Sequence, residues 1–346
     1  MSYQVTIQPS GHQFTVNEGD TLLAAALNAG FALPYGCRNG ACGACKGKVL
    51  SGAVDFGNHQ DDALTAEDKA KGLALFCCAT AKSDLGIEVK EVGAAKDVPV
   101  KTLPCRVERM EKLADDVMAI WLKLPSNERL QFLPGQYIDF LLKNGQRRSF
   151  SLANSPEEDS LLELHVRHVP GGQFTDHVFA TMKAKDIMRI NGPHGSFFLR
   201  DSNKPVIFVA GGTGFAPIKS MLAHAFHHEI DRQFVLYWGA RGLRDLYQPD
   251  LPALWQQKHA HFSFIPVLSQ PLPEDHWPGR SGFVHEAVLA DFADLSGYEA
   301  YVCGAPAMVQ AARRDFMARG LPEDAFFSDS FDYQSGSLSD VPRETR

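Results

Sequence analysis

The sequence predicts a multidomain protein of mixed α+β, β-barrel and α/β class: a small α+β domain, an antiparallel barrel and a parallel-sheet domain. Three features of the chain lead to this prediction. A cysteine-rich loop lies among short strand-like runs near the N-terminus, Gly- and Pro-bounded strand runs fill the middle, and apolar strands alternate with helices towards the C-terminus. Bounded strands favour antiparallel barrels, whereas strand–helix alternation favours a parallel sheet with crossover helices.

The amino-acid composition is typical of a soluble globular protein. The 346 residues allow two to three domains of roughly 150 residues each. The 34 basic and 41 acidic residues give a net charge of −7, and no basic block occurs, so we expect no nucleic-acid partner. The chain has no run of eighteen apolar residues and no secretory pattern at its start. We therefore expect no membrane partner, a cytoplasmic location with reduced thiols, and a monomer.

The first domain is expected over residues 1–93. Apolar and polar residues alternate over Tyr3–Ile7, which predicts a strand that pairs with Gln13–Val16 across a short turn. Helical periodicity follows over Thr21–Ala29, and Asp20 is the expected N-cap.

The barrel is expected over residues 104–203, after a Pro-punctuated linker over 94–103. Its strand-like runs include Val117–Leu124, Gln136–Leu142 and Leu161–Val169.

The parallel-sheet domain is expected over residues 204–332, and a polar, disordered tail over 333–346. Its expected strands and helices are Val206–Ala210, Phe215–His228, Phe234–Tyr237, Tyr301–Cys303 and Met308–Arg319.

The cysteine-rich loop has the spacing of an iron–sulfur site. Cys37, Cys42 and Cys45 form a C-x4-C-x2-C pattern, which is the plant-type [2Fe–2S] signature, and Cys77 or Cys78 offers a fourth thiolate. An odd total of seven cysteines also fits metal ligation better than disulfides. Zinc is the alternative, but it usually takes paired C-x2-C knuckles or added histidines, and no second knuckle is present.

A second motif lies on a predicted barrel strand. Arg148–Leu152 has the form R-x-[YF]-S-L, in which an arginine fork suits a diphosphate and the flat ring of Phe150 suits a flavin. The hydroxyl of Ser151 is small enough to lie near the reactive nitrogen of that flavin. An ordinary barrel strand with one surface arginine is the alternative. Downstream, Gly171–Thr175 leads into a helix, which is a natural seat for a pyrophosphate.

Two further glycine turns follow strands of the predicted parallel sheet. Gly211–Pro217 reads GGTGFAP and Cys303–Pro306 reads CGAP. Both turns are expected at the carboxyl edge of the sheet, where open α/β folds bind their ligands. Cys303 is either a buried strand-end thiol or a nicotinamide contact, and the two readings are compatible. Arg241 is a candidate for the adenosine ribose; with Arg244 nearby, NADPH is not excluded.

Together these motifs resemble a known family across nearly the whole chain. Its members join a plant-type ferredoxin domain to a ferredoxin–NADP reductase-like module, and they serve aromatic-ring oxygenases or a deoxysugar dehydrase system. The phrases GQRRSFSLAN, GGTGFAPIKSM, GFVHEAVL and FFSDSF look most similar to the deoxysugar branch. The resemblance implies a [2Fe–2S] cluster, FAD and NADH. It also implies a β-grasp ferredoxin domain, an antiparallel six-stranded FAD-binding barrel and a parallel-sheet NAD-binding domain.

The resemblance also implies roles for individual residues. Cys77, in a C-x-A pattern before a strand, is favoured over Cys78 as the fourth ligand, and Phe331 is placed near the flavin. The implied metal ligands are Cys37, Cys42, Cys45 and Cys77. The implied catalytic residues are Ser151, Cys303 and Phe331. The candidate cofactor-binding residues are Arg148, Phe150, Ser151, Leu152, His165, Gly171, Gly172, Phe174, Thr175, Gly212, Thr213, Gly214, Arg241, Cys303, Gly304, Pro306 and Phe331.

The expected function is electron transfer from NADH through FAD and [2Fe–2S] to an acceptor protein, most like the reductase of CDP-deoxysugar biosynthesis. The alternatives are the reductase component of a multicomponent oxygenase or hydroxylase and, more remotely, an iron–sulfur redox sensor without turnover. Arg38, Lys46 and Lys48 beside the cluster either dock an acidic partner or are chance positives. We expect no second metal at His227–His228 or His259–His261, because the sequence shows no acidic residue that completes a ligand set.

Overall fold

The computed structural model describes residues 1–92 and 98–331. The first four positions of the expected linker and the whole expected tail, 333–346, lie outside the described residues. Lys101, within the expected linker, begins a long strand. Within the described ranges, no helix is long and apolar enough to cross a membrane.

The N-terminal unit is a β-grasp fold, as predicted. Its sheet has the order β2-β1-β7-β3-β5; β1 runs antiparallel to β2 and parallel to β7, and α1 packs its buried face on the sheet. Thr21 caps α1 by accepting a hydrogen bond from Ala24 N, so Asp20 is not the cap. The elements are β1 Ser2–Gln8, β2 Gln13–Asn17, α1 Leu22–Asn28, β3 Lys46–Ser51, β4 Val54–Asp55, α2 Ala66–Ala70, β5 Leu73–Leu75, β6 Thr80–Ala81 and β7 Leu85–Glu88.

The middle unit is the expected antiparallel barrel. Its six strands have the order β11-β10-β13-β8-β9-β12, and a bridge between Leu152 and Leu164 joins the two edge strands. Both leucines are fully buried, so they close the sheet around its apolar core. The elements are β8 Lys101–Ala114, β9 Val117–Lys123, β10 Tyr137–Leu141, β11 Arg147–Ser151, β12 Leu162–Arg167, α3 Gln173–Ala180 and β13 Ile187–His194.

The C-terminal unit is the expected parallel sheet, with the order β17-β16-β15-β14-β18-β19. All its strands are parallel, and the strand order changes side at β14, with β15 on one side and β18 on the other. The turns after β14 and β18 therefore lie next to each other at the carboxyl edge of the sheet. The elements are β14 Val206–Gly211, α4 Phe215–His227, β15 Phe234–Ala240, α5 Asp250–Lys258, β16 Phe262–Leu268, β17 Arg280–Ser281, α6 Val284–Asp291, β18 Glu299–Gly304, α7 Pro306–Ala318 and β19 Phe326–Ser330.

A buried ion pair joins the cysteine loop to the barrel. Arg38, which adopts a left-handed backbone conformation, directs its guanidinium to the carboxylate of Asp139 on β10. The Asp139 side chain is fully buried and also accepts a hydrogen bond from Ser149 Oγ at 2.7 Å. Burial opposes its ionisation, but the charge of Arg38 and the Ser149 hydrogen bond hold the pKa of Asp139 below its usual value.

Two more contacts fix the same loop on the barrel. Tyr137 donates its hydroxyl hydrogen to Gly36 O at 2.8 Å, and Ser196 exchanges hydrogen bonds with the Tyr35 backbone at 2.8 and 2.9 Å. Two side chains of the barrel unit therefore fix the backbone of the two residues that precede Cys37.

We predict that Asp139→Asn lowers the free energy of unfolding by about 3 kcal/mol, because it leaves the charge of Arg38 without its partner. Ser149→Ala is the matched control: it removes one hydrogen bond to the same carboxylate and should cost about 1 kcal/mol. Urea unfolding of both variants measures the difference. Equal losses in the two variants would contradict the role of the ion pair.

Candidate functional site

The cysteine loop is preorganised around its sulfur atoms. The N–H of Cys37 points at Cys42 Sγ, the N–H of Cys42 points back at Cys37 Sγ, each at 3.4 Å, and Ala44 N lies 3.5 Å from Cys42 Sγ. The hydrogen bond from the Cys42 thiol lowers the pKa of Cys37 to about 6 despite burial. Backbone donors that converge on sulfur, together with an easily ionised thiol, suit a metal–thiolate centre.

Glycines make this close approach possible. A Cβ atom on Gly36 would lie 3.2 Å from Cys42 Sγ, and one on Gly40 would lie 2.8 Å from Cys78 Sγ and 2.9 Å from Asn58 O. Gly40 also has φ = +80°, a conformation that side-chain-bearing residues rarely adopt. The thiols and the tight backbone around them therefore fit a [2Fe–2S] cluster.

The structure bears on the choice between the two adjacent cysteines. The Cys45 thiol is the largest cause of the raised pKa of Cys77, so these two thiols are close neighbours. The Cys78 thiol is raised in pKa mainly by Cys77, whose sulfur lies 3.5 Å away. Cys45 and Cys77 are both buried. These contacts favour Cys77 as the fourth ligand, which stays a prediction.

Two of the three cations considered for docking face inwards. Arg38 belongs to the buried pair with Asp139, and Lys46 Nζ donates to Asp68 Oδ2 at 2.8 Å with its side chain only 24% exposed. Only Lys48 is exposed. Internal carboxylates therefore neutralise two of the three cations, which favours the alternative that these charges do not form a docking patch.

One cleft runs from the cysteine loop to the first glycine turn of the parallel sheet. Cys37 and Asn39 of the cysteine loop line it, and so do Thr213 and Ala216 of the parallel-sheet unit. Asp329 on β19 also lines the cleft. The predicted residues that line it are Arg148, Phe150, Ser151, His165, Gly171, Gly172, Thr213 and Phe331. All three structural units thus contribute to one continuous site.

The motif strand β11 presents a polar and an aromatic group to this cleft. Arg148 donates from Nη1 to Arg147 O and from Nη2 to Gln146 Oε1, at 2.8 and 2.9 Å. The ring of Phe150 packs on Phe174, with centroids 5.3 Å apart. Phe174 itself is a core residue, and it supports Phe150 from behind rather than reaching the cleft.

His165 lies in the wall of the cleft, and both of its ring nitrogens form hydrogen bonds. Tyr247 donates its hydroxyl hydrogen to Nδ1 at 3.0 Å, and Nε2 donates to Glu163 Oε1 at 2.9 Å. Burial lowers the pKa of His165, so the ring is neutral. Burial opposes ionisation of Glu163, but its hydrogen bond from His165 and the charge of Lys219, 2.7 Å away, lower its pKa to about 2. His165 therefore positions the wall of the cleft.

The Gly171–Gly172 turn is shaped by its own neighbours. Gly171 has φ = +78°, and a Cβ on Gly172 would lie 2.7 Å from Thr175 Oγ1 and 2.8 Å from Val169 O. Thr175 donates its hydroxyl hydrogen to Val169 O at 2.9 Å, so its side chain holds the turn closed. The turn leads directly into α3, as the sequence predicts.

The two glycine turns of the parallel sheet pack directly against each other. A Cβ on Gly214 would lie 2.1 Å from Cys303 O, and one on Gly304 would lie 3.1 Å from Gly211 Cα. Gly212 O accepts the indole hydrogen of Trp238 at 3.0 Å. Gly212, Gly214 and Gly304 therefore shape the edge of the sheet, while Thr213 reaches the cleft.

Several predicted cofactor-binding residues lie away from the cleft lining. Leu152 closes the barrel core, Pro306 begins α7, and Arg241 is an exposed residue whose Nε lies 3.7 Å from Asp245 Oδ2. Cys303 is fully buried in the apolar core of the parallel-sheet unit, and its register partner on β19 is Asp329. Phe331 N donates to Gly304 O at 2.9 Å, so the chain beyond β19 stays in contact with the turn that follows β18.

Two groups that the sequence analysis missed carry unmatched buried polar atoms in the cleft. Nε and Nη2 of Arg167 and Oγ of Ser330 are buried without a hydrogen-bond partner, and both residues line the cleft. Nη1 of Arg167 lies 3.2 Å from Asp116 Oδ2. Buried donors are almost always satisfied, so unmatched ones in a cleft fit a polar ligand. The signal in the sequence was the position of Arg167 at a strand end, just before the glycine turn.

Asp329 lies between the cysteine loop and the carboxyl edge of the parallel sheet. Its Oδ1 would lie 3.3 Å from a Cβ on Gly36, and its backbone pairs with Cys303. Burial and the nearby Cys37 raise the pKa of Asp329 to about 7. A buried carboxyl group thus stands between two parts of the site, and the sequence analysis did not single it out.

We predict that Cys77→Ser lowers the bound iron from two atoms per chain to well below one, because it removes a ligand that contacts Cys45. Cys78→Ser is the matched control and should keep the iron. Iron analysis and visible absorption of both purified variants give the answer. Iron loss in the Cys78 variant alone would reverse the assignment.

Comparison with known proteins supports each unit. The 2Fe-2S iron-sulfur cluster binding domain matches residues 5–82, the oxidoreductase FAD-binding domain matches residues 104–199, and the oxidoreductase NAD-binding domain matches residues 208–314. The cofactors of the chain are therefore a [2Fe–2S] cluster, FAD and NAD.

Two curated relatives match this chain over almost its whole length. The CDP-6-deoxy-L-threo-D-glycero-4-hexulose-3-dehydrase reductase of Yersinia pestis is 43% identical over 331 residues, which cover 96% of this chain and 99% of that protein. The phenol 2-monooxygenase reductase component DmpP of a Pseudomonas species is 37% identical over 337 residues, which cover 96% and 95%.

A solved structure extends the likeness to the fold. The crystal structure of the Amycolatopsis reductase GcoB matches with a TM-score of 0.76 at 35% identity, covering 95% of this chain and 98% of that one. The chain belongs to the family of NAD(P)H-dependent iron–sulfur flavoprotein reductases that combine a 2Fe-2S domain with FAD-binding and NAD-binding oxidoreductase domains.

Proposed function

We propose that this chain takes electrons from NADH and delivers them to an acceptor protein, the dehydrase of a CDP-deoxysugar pathway. The observation that carries the proposal is the single cleft shared by Cys37, Phe150 and Thr213, because it brings the three cofactor regions into one site. The 43% identity to the Yersinia dehydrase reductase supports the choice of acceptor. The 37% identity to the phenol 2-monooxygenase component keeps an oxygenase as the second candidate.

When bound, the flavin accepts a two-electron hydride and releases single electrons, which the cluster carries one at a time. The protein supplies position. We propose that Arg148 binds the FAD diphosphate, that Phe150 and Ser151 contact the flavin ring, and that Gly171 and Gly172 present backbone N–H groups to the pyrophosphate. Cys37, Cys42, Cys45 and Cys77 would hold the iron atoms.

We propose that NADH binds at the two glycine turns of the parallel sheet. Thr213 reaches the cleft, and Phe331 covers the turn above Cys303, so a nicotinamide that contacts the Cys303 thiol needs the Phe331 ring to move aside. NADH is favoured over NADPH because Asp245 lies beside Arg241, and its carboxylate would repel a 2′-phosphate. We further propose that the chain acts as a monomer in the cytoplasm, where thiols stay reduced and can ligate the cluster.

We propose that Arg167 binds a phosphate of the dinucleotide, since its guanidinium lies against the first glycine turn: a Cβ on Gly212 would be 3.4 Å from Nη2. Arg167→Met should raise the KM for NADH about tenfold with little change in kcat, because a charged hydrogen bond is worth roughly 1.5–3 kcal/mol. Arg189→Met, at an exposed position on β13, is the charge-matched control. Steady-state kinetics with a soluble artificial acceptor provide the measurement. An unchanged KM would remove Arg167 from the binding site.

The choice of acceptor is tested by coupled NADH oxidation. The purified holoprotein is mixed with the dehydrase that partners the Yersinia reductase and its CDP-sugar, or with the oxygenase component that partners DmpP. We expect rapid NADH consumption with the dehydrase and only background consumption with the oxygenase. Stimulation by the oxygenase alone would select the second candidate, and an NADH-insensitive visible spectrum would support the redox sensor.

A further inference from the structure

A row of polar contacts, which we call the polar seam, joins helix α4 to the barrel. It begins at Lys219, about one helical turn after the glycine turn. Lys219 Nζ donates to Ala153 O at 3.3 Å and to Glu163 Oε2 at 2.7 Å. One position further on, Ser220 donates its hydroxyl hydrogen to Asn154 O at 2.7 Å. The helix that begins at the nicotinamide turn therefore lies on the segment that connects β11 to β12.

Two histidines continue this seam towards the end of the helix. His224 and His228 are four residues apart, so they lie on one helix face. Glu157, on the turn Pro156–Glu158 of the barrel, lies between them: its Oε1 is 2.9 Å from His224 Nδ1 and 2.9 Å from His228 Nε2. The three candidate ligand atoms all lie within 4.8 Å of one another.

The sequence alone predicts no second metal here, because no acidic residue completes a ligand set for His227 and His228. In the fold, the histidine that accompanies His228 is instead His224, four residues earlier. Glu157 is 67 residues away from His224 in the chain, so only the docking of α4 on the barrel brings the carboxylate to the histidines.

The chemistry of the three groups fits a transition metal better than it fits hydrogen bonding alone. Both imidazoles converge on Oε1, while Oε2 of the same carboxylate is buried without any hydrogen-bond partner. A cation placed among the three side chains could contact both carboxylate oxygens and both ring nitrogens. Two histidines and one glutamate are an established zinc ligand set, with water completing the coordination.

We propose that Glu157, His224 and His228 form a binding site for Zn²⁺ or a similar divalent transition metal, which clamps the NAD-binding unit to the barrel. The side chains of His224 and His228 are 26% and 49% exposed, so an ion can enter from solvent. The ligands come from two units, so bound metal stabilises their contact without taking part in electron transfer. The site is separate from the iron–sulfur cysteines.

The test uses the full-length holoprotein with its two irons and FAD in place, after removal of loosely bound metal with a chelator. Titration with ZnCl₂ is followed by calorimetry, and zinc is counted by elemental analysis. We expect one zinc per chain in the wild type, and at least a tenfold weaker affinity in Glu157→Gln and in His224→Ala. His227→Ala, which changes an adjacent exposed histidine, is the matched control and should bind zinc normally. Zinc should also raise the Tm of the wild type and leave that of Glu157→Gln unchanged.

Two measurements keep the result specific. The visible spectrum of each variant shows whether FAD and the cluster are retained, so a folding defect is recognised. Zinc X-ray absorption should show nitrogen and oxygen ligands including imidazoles. Sulfur ligands would place the zinc on the cluster cysteines and overturn the proposal, as would equal zinc affinity in the wild type and His224→Ala. No zinc uptake at micromolar concentration would leave the histidines as hydrogen-bond donors only.

Discussion

The ion pair between Arg38 and Asp139 is the contact on which the arrangement of the three cofactor regions depends. Arg38 follows the first cluster cysteine directly, and Asp139 lies on the barrel strand next to the motif strand β11. Electron transfer between two centres is steeply sensitive to their separation, so the cluster loop must be held in place. A buried charge pair serves this purpose because separating it leaves two charges without partners in an apolar environment.

The rest of the site follows from how two sheets meet. The barrel contributes β11 and the end of β12, and the parallel sheet contributes its carboxyl edge, where the turns after β14 and β18 lie against each other. Beneath the cleft, a chain of hydrogen bonds links Tyr247, His165, Glu163 and Lys219, so it joins both units. Ligand-binding atoms therefore stand on strand ends and turns, while rigid elements fix their positions.

Local sequence patterns predict much of this structure. The three units, the cysteine loop and the strand–turn–helix motifs carry strong local signals, since each depends on residues close together in the chain. Effects that arise between distant segments were harder to predict. Arg38 resembled a surface cation because Asp139 is 101 residues away. Asp329 comes beside Cys303 and Gly36 only because β19 pairs with β18. The unmatched donors of Arg167 become visible only once the turn at Gly212 lies beside them.

The most direct test of the account follows electrons across the cleft. The anaerobic holoprotein is mixed with one equivalent of NADH, and samples frozen at successive times are examined by electron paramagnetic resonance while flavin absorbance is recorded. The account predicts that flavin bleaching is followed, within the time of a catalytic cycle, by the signal of a reduced [2Fe–2S] cluster. Complete bleaching with a cluster that stays oxidised would contradict it.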